Sequence, residues 1–397
     1  MTDKRITGTD DGTLREIAAD RGETPHVTVV VPSTALPSER QENEIRLKNA
    51  IAEADAQLQT LGLDDRRRGA VLGPLIEARD GGTFWPEEPL DGGLAAYTTG
   101  SGLTRITLPQ RPRELTVVGW RFHLKPVLQA KSLTGPFALL AISQNDVRLF
   151  EGDYDGHLDH HSDRRGLRQL DLAGRAPRSL EESAGRDLTE PNLQHHAGHR
   201  GSSEAIYHTH GGGKDDVTPE LKRFLREVDS AVQDFLPHRE APLVLAGVES
   251  LLALYRQVSD LPAILEDDLH GNVEHLSAAE LHERARELME RHQLRDDRNA
   301  AAALADAVGS GSATDSIDKA LLATLEGRVS EIVVAGDRED WGYVDEGAHE
   351  VRHRDELPRE DLLDRAAVET WLHGGRVRVL PAEALPGERL VCASLRY

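Results

Sequence analysis

Cysteine is almost absent from this sequence of 397 residues, with Cys392 as the single example. One thiol cannot build a disulfide framework within a chain, and it excludes a zinc site made from several cysteines. Such low cysteine usage is typical of a reducing compartment, so we expect a cytoplasmic location. Cys392 itself lies in an apolar stretch and is expected to be a buried core residue.

Long hydrophobic runs are also absent. The longest apolar stretches, such as 137–142 (FALLAI), are far shorter than the roughly 20 residues that a membrane-spanning helix needs. The first residues, MTDKRITGTDDGT, lack the apolar core of a signal peptide. We therefore expect a soluble protein. At roughly 100–200 residues per domain, its length predicts two to three domains, each with its own core.

Lysine is the third scarce residue, since only seven Lys accompany 40 Arg. Asp+Glu 69 against Lys+Arg 47 gives a formal net charge of -22. This acidic average argues against nucleic-acid binding by the protein as a whole, because phosphate binding depends on Lys and Arg. A GC-rich genome or a salty habitat would produce the same arginine and acid bias, so net charge alone does not define the function.

The pattern of apolar residues predicts an α/β, multidomain fold with boundaries near residues 125 and 265. We expect little fixed structure in residues 1–25, which are polar and turn-rich. The first domain, 1–125, is predicted to be α+β. It combines a strand at 26–31, helices at about 38–61 and 66–79, and two strands around a Gly-Ser-Gly turn within 93–108.

The second and third domains are predicted to be α/β. In the second, 126–265, two apolar runs flank Ser-Gln-Asn-Asp and predict a hairpin at 137–151. A long polar stretch at about 153–214, a helix at about 217–236 and a strand at 242–246 follow. The third domain, 266–397, is predicted to be an α/β/α arrangement with a partly parallel sheet. Its expected helices are 277–294, 297–308, 315–325 and 359–373, and its expected strands are 328–335, 376–380 and 388–396.

The polar stretch is unusually rich in histidine. Between residues 156 and 214, eight acidic and eight basic residues cancel, while the remainder of the chain carries the whole -22. Partly protonated imidazoles would make this window positive, so it is the best candidate for a surface that meets RNA. A variable polar insertion is the plain alternative. Eight of the 18 histidines lie here: His157, His160, His161, His195, His196, His199, His208 and His210.

The residues of this stretch also allow two other hypotheses, a metal site and a nucleotide-binding site. Neutral imidazoles bind zinc, so His208, His210 and the group at 195–199 could serve a metal-dependent hydrolase, although no HExxH pair is present. The Gly-Gly-Gly-Lys run at 211–214 is followed by Asp215 and Asp216 instead of the Ser or Thr of a phosphate loop. We therefore reject nucleotide binding at that run.

Three segments resemble the archaeal and eukaryotic class-1 release factors and their relative Pelota. Residues 242–255 (PLVLAGVESLLALY) resemble a strand-turn-helix of their middle domain, and the hairpin at 137–151 fits the beginning of that domain. Residues 318–335 (DKALLATLEGRVSEIVVA) resemble the start of their C-terminal domain, whose fold is related to kink-turn-binding ribosomal proteins. Together with 93–125, the order and spacing are most similar to the bacterial archaeo-eukaryotic-like release factor families, which include the hibernation factor Balon. The resemblance covers about 120–397.

This resemblance implies a ribosome-binding protein that mimics tRNA. One departure limits what can be carried over. Release factors place a Gly-Gly-Gln loop in the peptidyl transferase centre, and this sequence contains no Gly-Gly-Gln. The nearest equivalent, just before the predicted helix at 217–236, is the sequence His-Thr-His-Gly-Gly-Gly at 208–213. The resemblance therefore implies a non-hydrolytic factor of the hibernation or stalled-ribosome kind.

The loop before that helix is the expected contact with RNA, through backbone and side-chain hydrogen bonds and arginine stacking on bases. Ribosomal RNA is the expected partner and an elongation-factor GTPase a further candidate partner, whereas no cofactor, metal or membrane is expected. A release factor in which this loop positions a water molecule is the catalytic alternative. The candidate contact residues are His195, His196, His199, Arg200, His208, His210, Gly211, Gly212, Gly213 and Lys214.

Overall fold

The computed structural model describes residues 4–6, 11–22, 24–87, 90–132, 136–153, 167–172, 176–186, 218–236 and 240–396. They form two compact units. Residues 1–134 together with 291–397 make the discontinuous unit, and residues 135–290 make the middle unit. Both combine helices with sheets, so the predicted α/β, multidomain fold is confirmed, while the domain boundaries near 125 and 265 stay a prediction. In the described part of the chain, none of the helices is both long enough and apolar enough to span a bilayer.

The N-terminal part of the discontinuous unit is built on a five-stranded sheet. Its strands are β1 (Lys4–Ile6), β2 (His26–Ser33), β3 (Gly92–Thr98), β4 (Leu103–Leu108) and β5 (Leu115–Gly119), in the order β1-β4-β3-β2-β5. Every residue of β2 is buried, because successive side chains point to opposite, covered faces. Val27, Val29 and Val31 join one core, whereas Val30 joins another. This explains the continuous apolar run of β2.

Four helices accompany this sheet: α1 (Asp11–Ala19), α2 (Arg40–Thr60), α3 (Asp65–Asp80) and α4 (Lys125–Ser132). The predicted helices at 38–61 and 66–79 are confirmed as α2 and α3. The expectation of little structure in residues 1–25 was wrong. Leu14, Ile17 and Ala18 are buried at helical spacing on α1, and this pattern is too short to stand out in a polar segment.

The middle unit contains a second five-stranded sheet. Its strands are β6 (Pro136–Ile142), β7 (Val147–Asp153), β8 (Arg168–Leu170), β9 (Leu243–Gly247) and β10 (Leu269–His270), in the order β10-β9-β6-β7-β8. The predicted hairpin is confirmed, since β6 and β7 are antiparallel. By contrast, β6, β9 and β10 are parallel to one another.

Among the described residues, the helices that lie wholly within this unit are α5 (Leu180–Arg186), α6 (Thr218–Phe235) and α7 (Glu249–Val258). Helix α6 confirms the prediction at 217–236, and it buries an apolar face of Phe224, Leu225, Val228 and Val232. Of the polar stretch at 153–214, β8 and α5 are described, whereas residues 154–166, 173–175 and 187–217 lie outside the described part of the chain.

A long helix, α8 (Ala278–Val308), follows as 31 continuous residues. The prediction of two helices, 277–294 and 297–308, was wrong. The polar interval between them contains Asp297, which is 3% exposed and accepts hydrogen bonds from Gln293 and Arg378. Because Arg378 and Gln293 pair with this carboxylate, the helix continues through the polar interval. Apolar periodicity is interrupted there, so the sequence predicted a break.

The C-terminal part of the discontinuous unit carries two sheets. The strands are β11 (Ala313–Thr314), β12 (Val329–Ala335), β13 (Trp341–Asp345), β14 (Glu350–His353), β15 (Glu360–Asp361), β16 (Arg376–Leu380) and β17 (Val391–Leu395), with helices α9 (Ile317–Leu325) and α10 (Leu362–Leu372). One sheet has the order β11-β17-β12-β16 and the other β14-β13-β15. The predicted partly parallel sheet is confirmed, because β12 and β16 are parallel and α10 connects them. Cys392 is fully buried as expected.

A buried ion pair joins the two parts of the discontinuous unit. Lys125 Nζ donates to Asp361 Oδ2 at 2.7 Å and to the carbonyl oxygen of Arg338 at 2.6 Å. The side chains of Lys125 and Asp361 are 1% and 0% exposed. Asp361 also caps α10 by accepting the backbone N–H of Leu363 at 3.1 Å. Removing such charges from water is costly, so the pair persists only because each partner neutralises the other.

Asp364 makes a second connection between the same two parts. Its Oδ1 accepts the backbone N–H groups of Leu124 and Lys125 at 2.7 and 2.5 Å. The carboxyl group of a residue on α10 thus occupies the place of an N-cap for α4, which is far away in the chain. Burial, together with the nearby Asp361 carboxylate, raises the pKa of Asp364 to about 8.

We expect Lys125→Met to lower the free energy of unfolding by about 3–5 kcal/mol, because it leaves the Asp361 carboxylate buried without its cation. Urea denaturation followed by circular dichroism measures the change. Lys48→Met, at an exposed position of α2, is the matched control and should change stability by less than about 0.5 kcal/mol. Equal effects of the two substitutions would contradict a stabilising role for the ion pair.

The raised pKa of Asp364 gives stability a defined pH dependence. Its native carboxyl keeps a proton up to a pKa of about 8, whereas in the unfolded chain it ionises near about 4. The native state therefore binds more protons in this window, and its stability falls as pH rises. Asp364→Asn keeps the accepting oxygen but removes the titration. Thermal melts from about pH 5 to about pH 8 should show the wild-type Tm falling relative to that of the variant, and parallel curves would refute this assignment.

Candidate functional site

The contact residues that the sequence predicted are not placed by the structure. All of them lie in 187–217, and the other three histidines of the cluster lie in 154–166; both ranges are outside the described residues. Elsewhere, among the residues that are described, no group of three or more His, Cys, Asp or Glu side chains is arranged to hold a metal ion. The RNA-contact and metal-site hypotheses for the loop therefore stay predictions.

The helices on either side of this segment are described. Helix α5 ends at Arg186 and α6 begins at Thr218. The two pack together: Ser183 Oγ donates to Glu227 Oε2 at 3.2 Å, and Arg223 donates to the carbonyl oxygen of Ser183 at 3.5 Å. Helix α5 is also attached to the sheet, because its Leu180 N–H donates to the carbonyl oxygen of Gln144 at 2.8 Å. The predicted loop is thus attached to two helices that contact each other.

The carboxyl ends of three parallel strands meet at the edge of the sheet beside these helices. Ile142, the last residue of β6, pairs with Gly247, the last residue of β9, and His270 of β10 pairs with Gly247 on the other side. The chain leaves β6 toward β7 and leaves β9 toward α7 and β10, on opposite sides of the β6–β9 pair. In open α/β sheets, ligands bind outside the carboxyl ends of the strands.

A glycine makes this close approach feasible. Gly247 has φ 158°, and a Cβ atom at this position would lie 2.5 Å from the carbonyl oxygen of Ile142. Carbon and oxygen atoms do not approach so closely without displacement of the backbone. The ends of β6 and β9 can therefore pair in this register only when residue 247 has no side chain.

A cavity of about 260 Å³ opens at this edge. Its walls come from the loops that follow β6, β9 and β10, with Leu221 of α6 completing the lining. The polar side chains in these walls are Ser143, Gln144, Asn145, Ser250, Asn272 and Glu274, and the apolar ones are Ile142, Leu221, Val248, Leu251 and Val273. A cavity lined by apolar side chains together with a few polar groups is the usual form of a small-molecule site.

Glu274 is the charged group of this cavity. Asn145 Nδ2 donates to its Oε1 at 3.0 Å, and hydrogen bonds from Ser143 and Asn145 lower the pKa of Glu274. The Glu274 N–H donates to Asn272 Oδ1 at 3.0 Å, which fixes the loop after β10. The cavity therefore presents an ionised carboxylate at neutral pH, held by side chains from a different loop.

Sequence reasoning did not identify these residues. The Ser-Gln-Asn-Asp turn and the end of the strand at 242–246 were both recognised, and the rule that ligands bind at the carboxyl ends of parallel strands would have pointed to them. Asn272 and Glu274 gave no such signal, because they follow a strand of only two residues. Short edge strands lack the apolar periodicity from which strands are predicted.

Residues 137–291 match the bacterial archaeo-eukaryotic release factor family 7. They coincide closely with the middle unit. For this segment, the predicted relationship to the release-factor superfamily is confirmed. We therefore call residues 135–290 the release-factor unit. No curated protein matches the chain.

Several solved structures are similar at low identity to three quarters or more of the chain. The archaeal translation termination factor aRF1 is 14% identical, with 99% of each chain covered and a TM-score of 0.24. Pelota from Archaeoglobus fulgidus is 15% identical, with 77% of this chain and 79% of Pelota covered and a TM-score of 0.35. S. cerevisiae Dom34 is 11% identical, with 75% of this chain and 73% of Dom34 covered and a TM-score of 0.34.

We expect Gly247→Ala to destabilise the release-factor unit by more than about 1 kcal/mol, because its methyl group would collide with the backbone of β6. Gly69→Ala is the matched control. Gly69 lies within α3 with no atom in the way of a Cβ, so this substitution should stabilise the protein by up to about 1 kcal/mol. Thermal denaturation measures both changes. If both substitutions stabilised the protein, the ends of β6 and β9 would tolerate a side chain at residue 247.

Proposed function

We propose that this protein is a ribosome-associated, tRNA-mimicking factor related to translation release and rescue factors, and that it does not hydrolyse peptidyl-tRNA. Its role would be ribosome hibernation or the handling of stalled ribosomes during stress. The observation that carries this proposal is a release-factor unit in a sequence that contains no Gly-Gly-Gln.

The sequence before α6 supports the non-hydrolytic role. In release factors, the Gly-Gly-Gln loop enters the peptidyl transferase centre, and here residues 208–213 read His-Thr-His-Gly-Gly-Gly in the position before the helix. The glycines are kept but the glutamine is not. Glycines let a backbone approach RNA closely, and this sequence keeps them. It lacks the glutamine side chain, so hydrolytic activity cannot be inferred from the relationship to release factors.

The charge distribution supports contact with RNA at this loop. Residues 156–214 are balanced in charge on a chain of net charge -22, and protonation of imidazoles would make the loop positive. An acidic surface elsewhere disfavours non-specific binding to phosphates. The proposed contacts are His195, His196, His199, Arg200, His208, His210, Gly211, Gly212, Gly213 and Lys214, which would bind ribosomal RNA by hydrogen bonding and stacking.

An elongation-factor GTPase is the second proposed partner. The structure of Dom34 is described as that of a termination-like factor that interacts with Hbs1, and an archaeal Pelota is described as bound to the ribosome together with ABCE1. These statements concern those proteins. For this chain, delivery by a GTPase follows only from the relationship to release factors.

We expect the intact protein to co-sediment with purified ribosomes, and we expect replacement of residues 195–214 by a Gly-Ser linker of equal length to weaken binding at least about tenfold. The linker keeps α5 and α6 connected, so circular dichroism should show an unchanged fold. Lys48→Met serves as a control outside the loop and should bind as the wild type does. Equal ribosome binding by the linker variant would refute the role of the loop.

Peptide release from loaded ribosomes separates the non-hydrolytic proposal from its alternatives. No release above background is expected from the intact protein. Release that disappears in His208→Ala and His210→Ala would instead favour the catalytic release factor. Stoichiometric zinc in the purified protein, lost on the same substitutions, would favour the metal-dependent hydrolase.

A further inference from the structure

The cavity at the carboxyl edge of β6, β9 and β10 has no part in the proposed ribosome contacts. We infer that this cavity binds a ribonucleoside group, with the two ribose hydroxyls donating to the Glu274 carboxylate.

The position of the cavity carries the first step. It lies where the chain leaves β6 toward one side of the sheet and β9 toward the other. In open α/β sheets, ligands bind outside the carboxyl ends of the strands, which is where this cavity lies. The absence of a side chain at Gly247 lets the ends of β6 and β9 stay paired beside the cavity.

The free hydrogen-bonding capacity of Glu274 is the second observation in support of a ribose ligand. An ionised carboxylate can accept about four hydrogen bonds. Asn145 and Ser143 supply two donors to Glu274, so acceptor positions remain on the carboxylate. Two neighbouring hydroxyl groups are a donor pair of matching spacing, and an acidic residue near the carboxyl edge binds ribose hydroxyls in dinucleotide-binding folds. A ribose is thus a better match for this carboxylate than a ligand that carries its own negative charge.

Other lining residues suit the rest of a nucleoside. Leu221 and Leu251 provide apolar surface against which a base can lie, while Ser250 adds a hydroxyl that can donate or accept. The side chain of Val248, which precedes α7, has no acceptor with which to cap that helix, so the helix terminus adds further donor character to this wall. The lining therefore combines acceptor, donor and apolar groups.

The volume limits the ligand to a small one. A cavity of about 260 Å³ lies just below the range of about 300–1,000 Å³ that is typical of drug-sized ligands. One nucleoside can be accommodated, whereas a dinucleotide would extend beyond the walls. The ribonucleoside could be a free molecule or the terminal residue of an RNA with an unmodified 3′ end, because both present the same pair of hydroxyls.

Isothermal titration calorimetry on the full-length protein, with each of the four common ribonucleosides as a probe, tests the inference. At least one should bind, and its 2′,3′-dideoxy analogue should bind about tenfold to a hundredfold more weakly, since hydrogen bonds to a charged group are lost. Glu274→Gln should reduce affinity for the ribonucleoside by a similar factor. No binding by any of the four at millimolar concentration, or equal binding of the dideoxy analogue, would overturn the inference.

Glu280→Gln is the matched control. Glu280 is also a carboxylate whose pKa is lowered by hydrogen bonds, here from Ser277, but it lies in the first turn of α8 and does not line the cavity. This variant should bind the nucleoside as the wild type does. Because the dideoxy comparison uses the wild-type protein, the inference remains testable even if Glu274→Gln fails to fold.

A short RNA identifies the source of the ligand. Competition with the bound nucleoside by an oligonucleotide with a free 3′-terminal ribose, but not by the same oligonucleotide with a 3′-phosphate, would assign the site to RNA ends. Competition by neither would assign it to free nucleosides. The inference does not rest on ribosome association, since a protein that fails to bind ribosomes would still be expected to bind the nucleoside.

Discussion

The buried pair of Lys125 and Asp361 is the interaction on which the discontinuous unit depends. Each ion would cost several kcal/mol to bury alone, so neither can leave water before the other is in place. Their positions fix the start of two helices at once, because Asp361 caps α10 while Asp364 beside it caps α4. The apolar residues of α4, α10 and β12 then share a single hydrophobic core. One electrostatic contact thus determines where two distant parts of the chain meet.

The sequence predicted elements well where burial leaves a local pattern. The apolar run of β2, the hairpin of β6 and β7, and the parallel β12 and β16 with the helix between them all have such patterns. Prediction from the sequence failed where contacts with residues distant in the chain determine the secondary structure. Strands β13 to β15 contain many polar residues, so no apolar periodicity predicts them. Helix α8 continues through a polar interval because Arg378 pairs with Asp297.

The same distinction applies to the candidate sites. Composition alone singled out the histidine-rich loop, because a charge contrast needs no knowledge of the fold. The cavity in the release-factor unit could not be found in this way. Its carboxylate, Glu274, and its amide, Asn145, are 129 positions apart, and only the parallel pairing of β6, β9 and β10 brings their loops together. A site whose residues are brought together only by the sheet topology cannot be recognised in any single segment of the sequence.

The wide separation of the ion pair has a consequence for synthesis of the chain. Lys125 and Asp361 are 236 positions apart, and the release-factor unit lies between them. As the chain emerges from the ribosome, that unit is complete long before Asp361 has been made, and because its residues are contiguous it can fold without waiting. During that interval Lys125 lacks its buried partner, although the N-terminal part already has a core made only of its own residues. The order of translation therefore leaves the discontinuous unit to be completed last, by the final quarter of the chain.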